Sequence, residues 1–146
     1  MFSVRVRANF DTSKLDEMAR NFHLELKRAV DRAIMKAERV SKQEFLTGRD
    51  FSKMRPPINP TDTLGTRTGR LRSSVRGVVE DGNVIKGILQ AGPLVYAKIH
   101  EFGGDAGRGG KTHIRQRSYL RRALEKVLPS LRDEISKIFW RGRFGA

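Results

Sequence analysis

Three clusters of polar residues in this 146-residue chain carry side chains suited to phosphate, metal or carboxylate chemistry. The first is Gly110-Lys111-Thr112, the closing triplet of a phosphate-binding P-loop. That motif also needs a glycine with four residues between it and the triplet, so that backbone amides cradle the phosphates. Asp105 stands at that position and Gly104 is one place too early. A carboxylate there repels phosphate, so the segment reads as a loop without nucleotide chemistry. The second cluster is His100-Glu101, which begins like a zinc-protease helix but lacks the second histidine, because position 104 is Gly104. His100 and His113 make only two ligands across a glycine-rich loop, and His23 lies on the polar flank of a helix, so no metal or other cofactor is expected. Glu101 is expected to pair with an arginine, since acid–base work needs a second positioned group. The serines have no visible base and orienting carboxylate. The chain is therefore expected not to be an enzyme.

The third cluster is the largest. Arg67, Arg70, Arg72 and Arg76 form one basic group; Arg108, Lys111, Arg115, Arg117, Arg121 and Arg122 form another. Arginine offers bidentate contacts to phosphate or carboxylate. No recognition helix, aromatic platform or zinc module accompanies these residues, so the chemistry they suit is contact with a nucleic-acid backbone or an acidic protein surface. The whole chain agrees, with a formal net charge of +14. Such an excess makes folding work against self-repulsion unless an anionic partner neutralises it. Cysteine is absent, which excludes disulfides, a thiol nucleophile and cysteine-held zinc. The opening Met-Phe-Ser-Val-Arg-Val lacks the apolar run of a secretory signal, and no stretch approaches the ~20 apolar residues of a membrane span. Synthesis in the cytosol, with no membrane partner, is the expectation.

Both basic groups flank a β-hairpin pattern. Val78-Val79, the turn Glu80-Asp-Gly-Asn83 and residues 84–91 read as a β-hairpin, with Asp81-Gly82 expected to supply positive φ. Residues 69–76 read as a short helix or a strand start, with Leu71 and Val75 on one face. Residues 94–102 suit a short helix with Tyr96, Ile99 and Phe102 inward, followed by a mobile glycine-rich loop at 103–113. Ser118 is placed to cap a last helix whose stripe is Tyr119, Leu120, Ala123, Leu124, Val127, Leu131, Ile135 and Ile138. Pro129 should kink or split that helix, and the tail from Trp140 should fray. Upstream, residues 2–10 alternate as a strand, and Asp11-Thr-Ser13 offers capping oxygens. Leu15, Met18, Phe22, Leu26, Ala29, Ala33, Ala37 and Val40 then form one helical stripe running to about Leu46. At ~1.5 Å per residue this helix is roughly 50 Å long. A domain of this size is only ~25–30 Å across, so part of the helix should project, bend or pack on another subunit. Residues 49–67, with Pro56, Pro57 and Pro60, read as an irregular arm that orders on contact. The sum is a single α+β domain over 1–146, in which a long N-terminal helix and a C-terminal helix pack on a small antiparallel sheet.

Three segments in this order and spacing resemble the phage neck and tail-completion (virion morphogenesis, minor tail) proteins. They are Thr68-Gly-Arg-Leu-Arg-Ser-Ser74, Tyr96-Ala-Lys-Ile-His-Glu-Phe-Gly103 and Arg117-Ser-Tyr-Leu120. The chain departs in having Ser118 where proline is common and Tyr119 where phenylalanine is common. The resemblance implies a structural virion protein of the neck or head-proximal tail end, assembled in the host cytoplasm. It implies a homo-oligomeric, hexameric ring that completes the tail and helps join it to the head connector, with tail-terminator or tail-tube proteins as further neighbours. It also makes Thr68, Gly69, Leu71, Tyr96, Glu101, Phe102, Gly103 and Leu120 motif residues, with Glu101, Phe102 and Gly103 shaping the packed centre. The basic residues would face acidic partners or DNA in the channel. The charge alone fits a second class equally well, a monomeric basic nucleic-acid-binding protein.

Overall fold

A computed structural model describes residues 13–47, 64–65 and 68–144. The architecture is α+β, as the periodicities predict. Helix α1 (Ser13–Val40) continues into a π-helical turn, Ser41–Phe45. Two short strands, β1 (Leu46–Thr47) and β2 (Leu64–Gly65), pair in parallel. Helix α2 (Arg70–Ser74) leads into an antiparallel hairpin of β3 (Arg76–Glu80) and β4 (Lys86–Gln90). Helix α3 (Val95–Phe102) precedes a second antiparallel hairpin, β5 (Gly104–Ala106) and β6 (Thr112–Ile114). Helix α4 (Leu120–Phe144) closes the chain.

The core forms where α1 meets α4. Ala33 and Ala37 are small enough to let Ala123 and Val127 of the last helix, and Tyr119 just before it, approach, and Val40, Phe45, Leu46, Leu64, Val75 and Leu89 complete the cluster. The helices run antiparallel: Lys126 pairs with Glu44 at one end and Phe22 meets Phe139 edge-on at the other, 4.9 Å between centroids. Arg32 and Glu134 pair between them. Arg122 lies over the Phe45 ring, 4.4 Å from its centroid. The stripe of α1 is buried from Ala29 onward, whereas Leu15 and Met18 are exposed. Leu64, within the expected arm, is buried in the core; apart from residues 64–65 that arm, and the strand expected at 2–10, lie outside the described residues.

A second face of α1 carries the β3–β4 hairpin. Gly77 and Gly87 look directly onto Ile34: a Cβ at Gly77 would stand 2.3 Å from Ile34 Cγ2, and one at Gly87 2.5 Å from Ile34 Cγ1. The absence of side chains lets the strand backbone lie against the helix. Glu38 accepts a hydrogen bond from Gly77 N at 2.8 Å and pairs with Lys42. The Lys42 ammonium, then the Gly77 amide, hold the Glu38 carboxyl below its ordinary range. At the hairpin tip Asp81 meets Lys27 at 2.8 Å and His23 at 2.7 Å.

Four local expectations need correction. Gly82 does not adopt positive φ; the strands are joined by residues 81–85, long enough to turn without it. Segment 103–113 is a hairpin, with Asp105 opposite His113 and their side chains 2.8 Å apart. Its glycines serve turn geometry, with Gly107, Gly109 and Gly110 at φ 85°, 72° and 67°. Helix α4 is not split: it continues through Pro129, because the apolar stripe packs on α1 on both sides of the missing amide. The tail does not end in coil at Trp140, since helical backbone extends to Phe144.

Candidate functional site

Two of the three resemblance segments, 96–103 and 117–120, meet where α3 abuts the start of α4. The first turn of any helix leaves backbone amides without internal partners, and they attract negative charge. Here the partner is Glu101, 6% exposed. Its Oε2 accepts from Tyr119 N at 2.8 Å and Leu120 N at 3.0 Å, and its Oε1 from Arg121 N at 3.0 Å. The expected arginine partner is thus replaced by backbone, which satisfies the buried carboxylate. Nor does Ser118 cap the helix. Its Oγ donates to Glu101 O at 2.8 Å and accepts from Gln116 Nε2 at 2.9 Å, so it ties α3 to the chain before α4. Arg117 N donates to His100 O at 2.9 Å.

Tyr119 fills the space behind this network at 1% exposure, with its hydroxyl directed at Ala97 O, 3.4 Å away. Burial, and next the Glu101 charge, push its phenol up to about 12. His100 is pushed the other way, by burial and then by the Arg117 charge. Its Nδ1 is buried with no partner among the described residues, and its ring stands edge-on to Tyr96 at 6.1 Å. His113 belongs to a different pair, with Asp105, so the two histidines do not share a partner. Gly110-Lys111-Thr112 sits in a hairpin turn and at the start of β6, with no helix opening behind it. Among the described residues no three of His, Cys, Asp and Glu come together as a cation site. No described helix is long and apolar enough to cross a membrane.

The motif residues divide sharply. Gly69 needs its left-handed conformation, φ 71°, to start α2, and Leu71 packs against the core beside the fully buried Val75. Gly103, at φ 76°, turns the chain out of α3; a Cβ there would stand 3.0 Å from Gln116 N. Leu120 is half-buried, and Thr68 is exposed. Phe102 contradicts its expected place in the packed centre: it is 67% exposed. Tyr96 is likewise exposed rather than inward. The reason is the helix period. Turning Glu101 onto α4 puts Ala97, four residues back, inside with it, and leaves Val95 and Phe102 on the outer face.

Arg70, Arg72 and Arg76 are exposed on α2 and the start of β3. Arg108 and Lys111 are exposed at the β5–β6 turn, Arg115 just after it, and Arg121 on the first turn of α4, near Glu125 at 3.4 Å. Arg117 is half-buried over His100; Arg67 lies outside the described residues. The second group therefore runs along the chain from the β5–β6 turn to the first turn of α4, which Glu101 holds. The first is linked to it through the Gly92 N to Ser74 O bond, 3.1 Å, which fastens the end of α2 to the approach of α3. Sequence reasoning missed Gly77, Gly87 and Glu38; glycines inside strands were the available signal of close approach.

Comparison of the chain with protein-family models, curated proteins and solved structures finds no match.

Proposed function

We propose that this chain is a structural component of a phage neck or head-proximal tail end, a subunit of a ring that completes the tail and contacts the head connector. The observation that carries this reading is the Glu101 network. Two of the three segments that resemble tail-completion proteins are held together by one buried carboxylate and one serine, across 17 to 20 residues of chain. The segments thus work as parts of one structural device, with Glu101 spent on three backbone amides and Ser118 on a backbone carbonyl. The outward parts are what an assembling subunit presents: cationic turns for an acidic neighbour or for DNA phosphates, and apolar side chains beside them.

The test is composition of the assembled particle. Quantitative mass spectrometry and immunogold labelling of purified particles should find the chain at the head–tail junction. A mature particle without it would refute the reading. The exposed arginines favour a second reading, a monomeric nucleic-acid binder. Tight, salt-sensitive binding to free RNA by a chain absent from particles would establish that one instead.

A further inference from the structure

A polar cleft of about 200 Å³ opens between α1 and α4. Arg28 and Arg32 line it from α1, and Lys137 and Arg141 from α4. Each pair is four residues apart, so its members share one helix face. Like charges at that spacing disfavour a helix, and here two such pairs line one cleft between antiparallel helices. Two carboxylates, Glu25 and Glu134, also line it, and the buried Ile138 is its one apolar member. Glu134 is taken by Arg32. For Arg28, Lys137 and Arg141 the described residues supply no ion pair. Four cations against two carboxylates leave the cleft a formal charge of +2.

We propose that this cleft binds a dianionic phosphate, free or as a phosphomonoester, between α1 and α4. The site goes beyond the neck reading and stands without it, since none of its residues belongs to the two basic groups that flank the β3–β4 hairpin. Charge, shape and size each point to phosphate. A phosphomonoester carries about −1.5 to −2 at pH 7, which offsets the formal charge of the cleft. A planar carboxylate presents two oxygens, well matched to a single guanidinium. A tetrahedral phosphate presents oxygens on several sides, so it can meet cations that arrive from two helices. At ~30 Å³ per water the cleft has room for about six or seven waters, enough for a phosphate group. It lies below the ~300–1,000 Å³ of sites that enclose a drug-sized ligand, so the remainder of an ester stays outside. Arg28, Lys137 and Arg141 are exposed, which leaves entry open. Bound there, the phosphate relieves the repulsion among the cations and bridges the two long helices.

The test is calorimetric titration of the full chain with inorganic phosphate, at an ionic strength held constant with chloride. Saturable binding with a Kd below about 1 mM is expected. Arg28→Gln with Arg141→Gln should weaken it at least about tenfold, because charge-assisted hydrogen bonds are lost from both helices. Glu25→Gln removes a carboxylate from the lining and should tighten binding about twofold or more, a gain that misfolding does not produce. Arg108→Gln, Lys111→Gln and Arg115→Gln together remove more positive charge, but outside the cleft, and should change the affinity by less than about twofold. No saturable binding, a cleft variant that binds as tightly as the wild-type chain, or an equal loss in the triple variant would each overturn the proposal. Circular dichroism and melting check that each variant folds, and Lys137→Gln, a single exposed change, replaces the double variant if that one melts early. With binding in hand, glycerol 3-phosphate as competitor separates the two sources: displacement assigns the ester, and no displacement assigns free phosphate. Duplex DNA, whose diesters carry one charge each, should not displace phosphate from the triple variant. Displacement by DNA would mark a nucleic-acid backbone site and overturn the assignment to a dianion.

Discussion

Glu101 is placed like a catalytic acid in sequence, next to a histidine, and used as a structural cap in the fold. A buried carboxylate is tolerated only when its charge is met, and here three amides meet it. Glu101→Gln keeps one acceptor oxygen and turns an NH₂ toward amides that are themselves donors. An unmet buried amide costs about 1–3 kcal/mol, and the missing charge at the helix start somewhat more. Destabilisation of about 2–3 kcal/mol is expected, a melting shift of roughly 6–12 °C. Glu125→Gln, which alters an exposed carboxylate on the same helix, should stay within about 0.5 kcal/mol in the same melt. Tyr119 gives a pH signature of the same packing. A free phenol ionises near pH 10, whereas the folded one is held up to about 12. The unfolded chain therefore loses its proton first. The stability this phenol supplies is whole below pH 10 and is lost as pH rises from about 10 to about 12. Denaturant midpoints measured across that range should fall more steeply for the wild-type chain than for Tyr119→Phe, which sacrifices only the long bond to Ala97.

At the scale of elements, the β3–β4 hairpin stays on α1 because two strand positions have no side chain. Neither Gly77 nor Gly87 has positive φ, so alanine there would suit the backbone and favour the strand. The obstacle is Ile34. Gly87→Ala puts a methyl within 2.5 to 2.9 Å of Ile34 and Val30 side-chain atoms, and overpacking of this kind costs about 1–3 kcal/mol. Ile34→Ala alone leaves a cavity and should cost about 2–5 kcal/mol. The double variant should be more stable than the sum of the single losses predicts, with a coupling of about 1 kcal/mol or more in a denaturant-based cycle. Strict additivity would mean that the hairpin is not seated on Ile34. This contact also marks where sequence legibility ended. The stripes of α1 and α4 and the hairpin of β3 and β4 were readable because each depends on neighbours within a short stretch of chain. The choice of Ile34 as the seat of the hairpin depends on residues more than 40 positions away, which no local period encodes. The β5–β6 hairpin was hidden differently: its many glycines read as looseness, although positive φ at a tight turn calls for the same residue. Phe102 was misplaced because its apolar character argued for the core, while the geometry of Glu101 rotated it out.

Over the whole molecule, charge and packing are segregated. The α1–α4 core is held by apolar packing, and one group of cations, Arg108, Lys111 and Arg115, stands on the β5–β6 turn and the segment just after the hairpin. Arg108, Lys111 and Arg115 are exposed, and none lines the core. Replacing all three with glutamine should leave the melting temperature nearly unchanged, since surface substitutions away from packed features usually lie within about 0.5 kcal/mol each. Relief of self-repulsion should offset part of any decrease. Polyanion binding should respond instead. Removing one cation from a phosphate lowers the slope of log affinity against log salt by about one. If all three side chains touch phosphate, the slope measured on duplex DNA falls by about three, and affinity at low salt falls with it. If they face a carboxylate-rich protein surface, the DNA slope is unchanged, and incorporation of the variant into particles drops instead. A variant that binds DNA and enters particles as well as the wild-type chain would show that this hairpin is not the docking surface, leaving Arg70, Arg72 and Arg76 to carry it.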